Sequence, residues 1–234
     1  MAKPSYTWLG HATFTFRSPS GKRLILDPWL AGNPSCPDSA QQIGPLDLML
    51  LTHGHSDHTS DAVALARSTG CRVVAPFELS VWMQRKGIQQ VTGMNPGGTL
   101  KALGLEITMV PAVHSSSGIG DAGSEYMGIA TGYVVRFEDG TTLYCAGDTS
   151  VFGDMRLIAE LYRPTVAILP IGDLFTMGPR EAAKACELLN VTRVIPMHYG
   201  TFPVLTGTPE ELQRLVGTMG VEVVVSKPGE ARDL

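Results

Sequence analysis

The sequence has no Cys-x-x-Cys pair, no apolar run long enough to cross a bilayer and no cluster of one charge, and each absence removes a class of function. Cys36, Cys71, Cys145 and Cys186 are widely spaced and sit mostly among apolar residues. They read as buried, reduced thiols of a cytoplasmic protein and not as a disulfide framework. The greasiest stretches, around Leu46 to Leu51 and Val166 to Ile171, are strand-sized, so no membrane span is expected. Met1 to Phe16 carries Lys3, Pro4, Gly10 and His11, where a secretory signal would have a basic end followed by unbroken apolar residues. Net charge is -4 with Lys and Arg scattered, which leaves no basic stripe for a phosphate backbone, and nucleic acid is not an expected partner.

What is present is a hydrophobic content of 44% against 17% charged residues, the balance of a packed globular chain. The 234 residues can bury a full core as one domain, 1–234, and no linker or composition break divides them. The pattern predicts strands over Tyr6 to Leu9, Ala12 to Arg17, Arg23 to Leu26 and Leu46 to Leu51. A helix over His58 to Ser68, closed by Gly70, leads to a strand over Arg72 to Ala75 and a helix over Glu78 to Lys86. Strands follow at Leu105 to Val110, Ile129 to Phe137 and Thr141 to Cys145, the last two joined by a hairpin turn at Asp139-Gly140. The last third alternates helices (Asp154 to Tyr162, Pro179 to Leu189, Pro209 to Met219) with strands (Val166 to Leu169, Arg193 to Ile195, Val221 to Val225). Pro179 stands at a first helical position and Thr208 at an N-cap. Two strand-rich blocks, each followed by helices, imply sheets packed face to face with helices outside.

The sharpest chemical signal is Thr52-His53-Gly54-His55-Ser56-Asp57-His58, directly after an apolar strand. His53 and His55, two apart on a loop, can converge on one ion, while Asp57 and His58 at the mouth of the next helix can face a second. Gly54 lets the backbone turn tightly between them. A polar surface loop is the bland alternative, and the density of donors argues against it. His11, His114 and His198 also fall at strand ends or in loops. Asp148, leaving a buried-looking strand through Gly147, suits a bridge between two cations, although Gly-Asp-Thr taken alone is an ordinary turn. The Gly97-Gly98 pair lacks the lysine and helix start of a nucleotide loop and reads as a turn.

His53-x-His55-x-Asp57-His58, then His114, Asp148 and His198 in that order, resembles the successive metal motifs of the metallo-β-lactamase superfamily. Gly10-His11-Ala12, Leu26-Asp27-Pro28, Ala146-Gly147-Asp148-Thr149, Pro170-Ile171-Gly172-Asp173, Phe175 to Pro179 and Pro196 to Pro203 narrow the resemblance to the UPF0173 metal-dependent hydrolases. That family is similar to the ascorbate-6-phosphate lactonase branch. The resemblance implies an α/β fold, the αβ/βα four-layer sandwich. It also implies His53, His55 and His114 on one metal, Asp57, His58 and His198 on the other, and Asp148 bridging. Imidazoles and carboxylates without thiolate suit Zn first, with Mn, Fe or Ni also compatible.

Two cations about 3.5 to 4 Å apart would activate a shared water toward a carbonyl or phosphoryl centre, with Asp57 orienting the attacking hydroxide. The expected function is hydrolysis of a small ester, lactone or phosphodiester. Asp57-His58 after His55 speaks against the redox branch of the superfamily. His11, Asp27, Asp173 and Tyr199 are candidates to touch the substrate or to hold a ligand from behind, with Asp27 the best placed to fix a histidine. Asn33 to Gly44 and Ser115 to Tyr126 are the loops expected to shape the pocket. The alternatives are a nuclease acting on RNA or DNA and a non-catalytic metal-binding protein. A homo-oligomer is implied by the lactonase resemblance alone.

Overall fold

The computed structural model describes residues 2–120 and 123–234. Two seven-stranded sheets, each antiparallel at one end and parallel at the other, form the interior. The first runs β16-β1-β2-β3-β4-β5-β6: β1 (Ser5–Trp8), β2 (Phe14–Arg17) and β3 (Arg23–Leu26) meander antiparallel, and β4 (Leu48–Leu50), β5 (Arg72–Pro76) and β6 (Val91–Met94) continue parallel to β3. The second runs β15-β14-β13-β12-β11-β8-β7: β7 (Thr99–Ala102), β8 (Leu105–Pro111) and β11 (Thr131–Arg136) lie antiparallel beside β12 (Thr142–Cys145), and β13 (Val166–Pro170), β14 (Arg193–Met197) and β15 (Glu222–Val223) run parallel to it. β16 (Ala231–Asp233) returns to pair with β1, and β9 (Ser117–Gly120) with β10 (Gly123–Tyr126) forms a separate hairpin.

Period-two alternation explains the layering. Along β4, Leu48 and Leu50 enter the core shared by the two sheets, while Met49 and Leu51 pack under α2 (Ala62–Thr69) and α3 (Phe77–Arg85). Along β13, Val166 and Ile168 face the shared core, while Ala167 and Leu169 pack beneath α4 (Met155–Tyr162), α5 (Pro179–Leu189) and α6 (Pro209–Val216). A strand covered on both faces must be apolar throughout, which is why these runs read as unbroken hydrophobic stretches. β2 is covered on one face and alternates: Phe14 and Phe16 are buried, Thr15 and Arg17 are not. Helix, sheet, sheet and helix thus stack as an αβ/βα sandwich, and the three clusters supply the burial that stabilises it.

Most predicted elements lie within one or two residues of those observed, and Arg23–Leu26 and Pro179–Leu189 coincide. The single helix expected from His58 to Ser68 is instead α1 (Ser56–Thr59) and α2, broken at Asp61. The Asp61 carboxylate accepts from the amides of Leu30 and Ala31, and its own N–H donates to Pro28 O. These bonds draw the chain out of one continuous helical ladder. The strands that sequence patterning did not reveal, β6, β7, β16 and the β9–β10 hairpin, are short or largely exposed, and β15 is a two-residue part of the strand expected over Val221 to Val225. Of the loop read as Ser115 to Tyr126, Asp121 and Ala122 lie outside the described residues. No helix among the described residues is long and apolar enough to cross a membrane.

Candidate metal centre

The predicted donors leave the C-terminal ends of strands from both sheets. β4 leads to His53, His55, Asp57 and His58; β8 to His114; β12 to Asp148; β14 to His198. His11 lies in the turn between β1 and β2, and Asp27 directly follows β3. Crevices at the carboxyl ends of strands are the usual ligand sites of α/β sheets. Three bonds tie the sheets together at this edge: His198 N–H donates to His11 O at 3.0 Å, Thr131 N–H to Thr52 O at 3.0 Å and the Tyr133 hydroxyl to Leu51 O at 2.7 Å.

The backbone at this edge is tightly constrained. His11, Asp27, Asp173 and His198 have φ of 53, 46, 68 and 56°, left-handed values that cost side-chain-bearing residues strain and recur at functional sites. Gly147 also has positive φ, 62°, and a Cβ there would lie 2.8 Å from Thr131 O. Gly54 serves differently from its sequence reading. Its φ is not positive; glycine is needed because a Cβ would stand 2.6 Å from Met127 Cβ.

The donors form two groups. In the outer one, His55 Nδ1 is 2.9 Å from His53 Nε2 and 3.3 Å from His114 Nε2. In the inner one, Asp57 Oδ2 lies 3.0 Å from His11 Nε2, 3.9 Å from His198 Nε2 and 4.0 Å from His58 Nε2. Within each group every residue offers an atom within 4.8 Å of the others. Asp148 Oδ2 stands between them, at 3.1 Å from His198 Nε2, 3.3 Å from His58 Nε2, 3.6 Å from His114 Nε2 and 4.0 Å from His53 Nε2.

These residues fit divalent metal. His58 Nε2, both ring nitrogens of His198 and Asp148 Oδ1 are buried without a well-formed hydrogen bond. Such orphaned atoms cost about 1–3 kcal/mol each, and cation coordination would satisfy those that face the centre, His58 Nε2 and His198 Nε2. The donor chemistry, imidazole and carboxylate, suits borderline divalent ions. The ionisation of Asp148, Asp57, His53 and His11 agrees with ligation. Burial works to raise the Asp148 carboxyl, but His198 and His58 hold it well below the usual carboxylate range. Burial likewise opposes ionisation of Asp57, and the neighbouring His11 and His58 outweigh it. Burial drives His53 well below the ordinary imidazole value and His11 down to about 4, the latter against the pull of Asp57. His58 moves upward: burial would lower it, yet Asp148 and Asp27 on its two nitrogens prevail, so its ring holds a proton that a bound cation would have to displace.

A supporting layer orients the rings. Asp27, fully buried, accepts from His58 Nδ1 at 2.8 Å, Thr52 Oγ1 at 2.6 Å and Thr52 N at 2.8 Å. This leaves His58 Nε2 facing the centre, the carboxylate–histidine arrangement that metal ligands use. Thr52 Oγ1 is 3.0 Å from His53 Nδ1, and Ser115 Oγ is 3.3 Å from His55 Nε2. Thr201 Oγ1 is 2.9 Å from His11 Nδ1. Sequence reasoning missed Thr52, Thr201 and Ser115, although each lies within three residues of a donor. Asp173 and Tyr199 stand outside both groups: the exposed Asp173 carboxylate accepts from Leu174 N at 2.8 Å, and Tyr199 stacks on Trp8 at 5.3 Å. Of the two predicted pocket loops, 33–44 reaches the site's rim through Ser35, whose hydroxyl lies 3.4 Å from Thr201 Oγ1.

Residues 22–199 match the family model described as a beta-lactamase superfamily domain, and the chain belongs to that superfamily, the metallo-β-lactamase class of folds. It is 51% identical over 225 residues to a UPF0173 metal-dependent hydrolase of Koribacter versatilis, covering 96% of this chain and 95% of that one. A second, from Rubrobacter xylanophilus, is 52% identical over 227 residues, covering 96% and 94%. Within the superfamily the chain therefore belongs to the UPF0173 metal-dependent hydrolases, and it is an enzyme of that class. A metallo hydrolase of the archaeon Ignicoccus hospitalis superposes with a TM-score of 0.88 at 36% identity, over 100% of this chain and 99% of that chain.

Proposed function

We propose that this hydrolase cleaves a small ester, lactone or phosphodiester at a dinuclear centre. His53, His55 and His114 would hold one divalent ion, Asp57, His58 and His198 the other, and Asp148 would bridge. The observation that carries the reading is the position of Asp148 Oδ2, between 3.1 and 4.0 Å from four imidazole nitrogens drawn from both groups. A bound pair of divalent ions, zinc by preference, supplies Lewis acidity toward the attacked oxygen and a water that ionises near neutral pH. Asp57, with a side chain 28% exposed, can accept a hydrogen bond from the attacking water and so aim it. Asp27 and Thr52 hold His58 and His53 in place, so little reorganisation is needed when charge develops.

Two features favour a small substrate. The ion pairs of Asp27, Asp57 and Asp148 are all with histidines, so no lysine or arginine in those pairs prepares the site for a polyanionic strand. Phe202, 37% exposed, stacks with Trp29 at 5.9 Å and lies 5.7 Å from the His11 ring, giving the mouth an aromatic wall. Such a wall suits the apolar part of a small ester or lactone. The four buried cysteines, unpaired in the structure, support residence in the reducing cytoplasm.

The test is elemental analysis of protein purified without added metal, together with Asp148→Ala and His114→Ala, followed by an ester, lactone, phosphodiester and structured-RNA panel. About two ions per chain, falling in both variants, with turnover of a small substrate, is the expected result. Robust RNA cleavage would move the reading to a nuclease. A metal-loaded protein inert on the whole panel would move it to a non-catalytic metal binder.

A further inference from the structure

His11 enters the centre from the turn between β1 and β2, far in sequence from the other inner donors, and is 0% exposed. The hydroxyl of Thr201 has the Tyr199 carbonyl as an acceptor at 3.5 Å, which leaves its oxygen free to accept from His11 Nδ1–H at 2.9 Å. A histidine that donates through Nδ1 presents a lone pair at Nε2, because the bond made by one ring nitrogen sets the state of the other. That Nε2 points at Asp57 Oδ2, 3.0 Å away, and the two atoms share their surroundings with the Nε2 atoms of His58 and His198. Lone pairs converging in a buried place repel unless a cation lies among them. The separations from Asp57 Oδ2, 3.0 to 4.0 Å, match donors arranged around one ion at about 2.1 Å, for which tetrahedral neighbours stand ~3.4 Å apart.

We infer that His11 is a direct ligand of the inner ion. The inference rests on the dinuclear reading given above. With His11, the inner ion has His11, Asp57, His58, His198 and the bridging Asp148, and its coordination is filled by protein. The outer ion has three histidines and Asp148, and a position for water or substrate stays open there. Closed sites retain their ion and open ones do chemistry.

Cadmium-113 NMR of the wild-type protein, loaded with that ion and labelled with 15N-histidine, tests this without any substitution. A resolved scalar coupling between one cadmium and His11 Nε2, beside those to His58 and His198, is expected. Couplings to His58 and His198 with none to His11 would overturn the inference while leaving two-ion binding intact, and no coupling to any histidine would remove both. Affinity measured by chelator competition gives a second route. His11→Asn, whose side chain tolerates the left-handed backbone, should weaken one of two ions about 10³-fold and spare the other. Thr201→Val, which removes only the partner of Nδ1, should cost about tenfold. Equal losses in the two variants would make His11 a positioning residue for Asp57 and sink its role as a ligand.

Discussion

Around Asp148 the imidazoles of the two donor groups differ in depth: His11, His58 and His198 are 0, 0 and 1% exposed, with Asp57 at 28% the opening of that group, whereas in the other group His53 is buried, the His114 side chain is 13% exposed and His55 is half-buried. They differ also in what stands behind them. Asp27 receives His58 through a 2.8 Å bond within a fully buried network, and Thr201 receives His11 at 2.9 Å. The outer group has Thr52 behind His53, but His55 is met only by an exposed serine at 3.3 Å. Buried rings held from behind, as His58 and His11 are, are already aimed, and an ion bound among them would exchange only past Asp57 or by local opening. Half-exposed rings are less rigidly aimed and reachable. On the dinuclear reading proposed above, the same pair of sheets would build one site suited to keeping an ion and one suited to presenting it.

The largest effect should come from the residue the groups share. Asp148→Asn keeps the shape of the side chain and removes its charge from four imidazoles, so hydrolysis should fall about 10³-fold, with ion content lowered in both groups. Elemental analysis after dialysis, beside the turnover assay, checks this. Retention of both ions would mean that Asp148 bridges nothing. Asp27→Asn cuts more narrowly. It weakens the acceptor for His58 Nδ1 and should lower affinity for the inner ion about 10- to 100-fold while leaving the outer ion within a few-fold. Equal weakening of the two ions in a chelator titration would erase the distinction between them.

Much of this was legible in the sequence because a central strand covered on both faces cannot hide. Leu46 to Leu51 and Val166 to Ile171 announce β4 and β13, and imidazoles and carboxylates crowding the ends of such strands point to metal. The edge strands were not legible: β7 and β16 alternate weakly or lie exposed, so their pairing is decided by neighbours distant in the chain. The break at Asp61 was hidden for a similar reason, since its partners Leu30 and Ala31 lie about thirty residues earlier. At the site, residue type and spacing exposed His53 to His58, but the grouping of His11 with Asp57, 46 positions apart in the chain, depends on the fold between them. Thr52 and Thr201 carry no signal of their own; only the fold puts a hydroxyl behind each ring.

Metal release should separate the groups by a smaller factor. Mixing the loaded protein with an excess of chromophoric chelator should give two phases of about equal amplitude, the faster at least about tenfold quicker, from the exposed outer group. Loss of the fast phase in His114→Ala would assign it. A single phase carrying both ions would show that the difference in burial has no kinetic consequence.

The smallest expected effect tests how the outer group is moored. Tyr133, fully buried on β11, donates at 2.7 Å to Leu51 O, two residues before His53, and is a side-chain tether between the second sheet and the end of β4. The inner group has further ties of its own, the bond from His198 N–H to His11 O and that of His58 to Asp27. Tyr133→Phe removes one buried donor and keeps the ring in the core, so stability should fall by about 1–2 kcal/mol. For a chain of this size that shifts the midpoint about 2–4 °C per kcal/mol, readable by calorimetry on metal-free protein. In the loaded variant the fast phase of metal release should quicken a few-fold and the slow phase should hold its rate. If both phases quicken together, β4 transmits the loosened tether to both groups through the one helical turn that separates His55 from His58, and the two sites must be treated as a single mechanical unit.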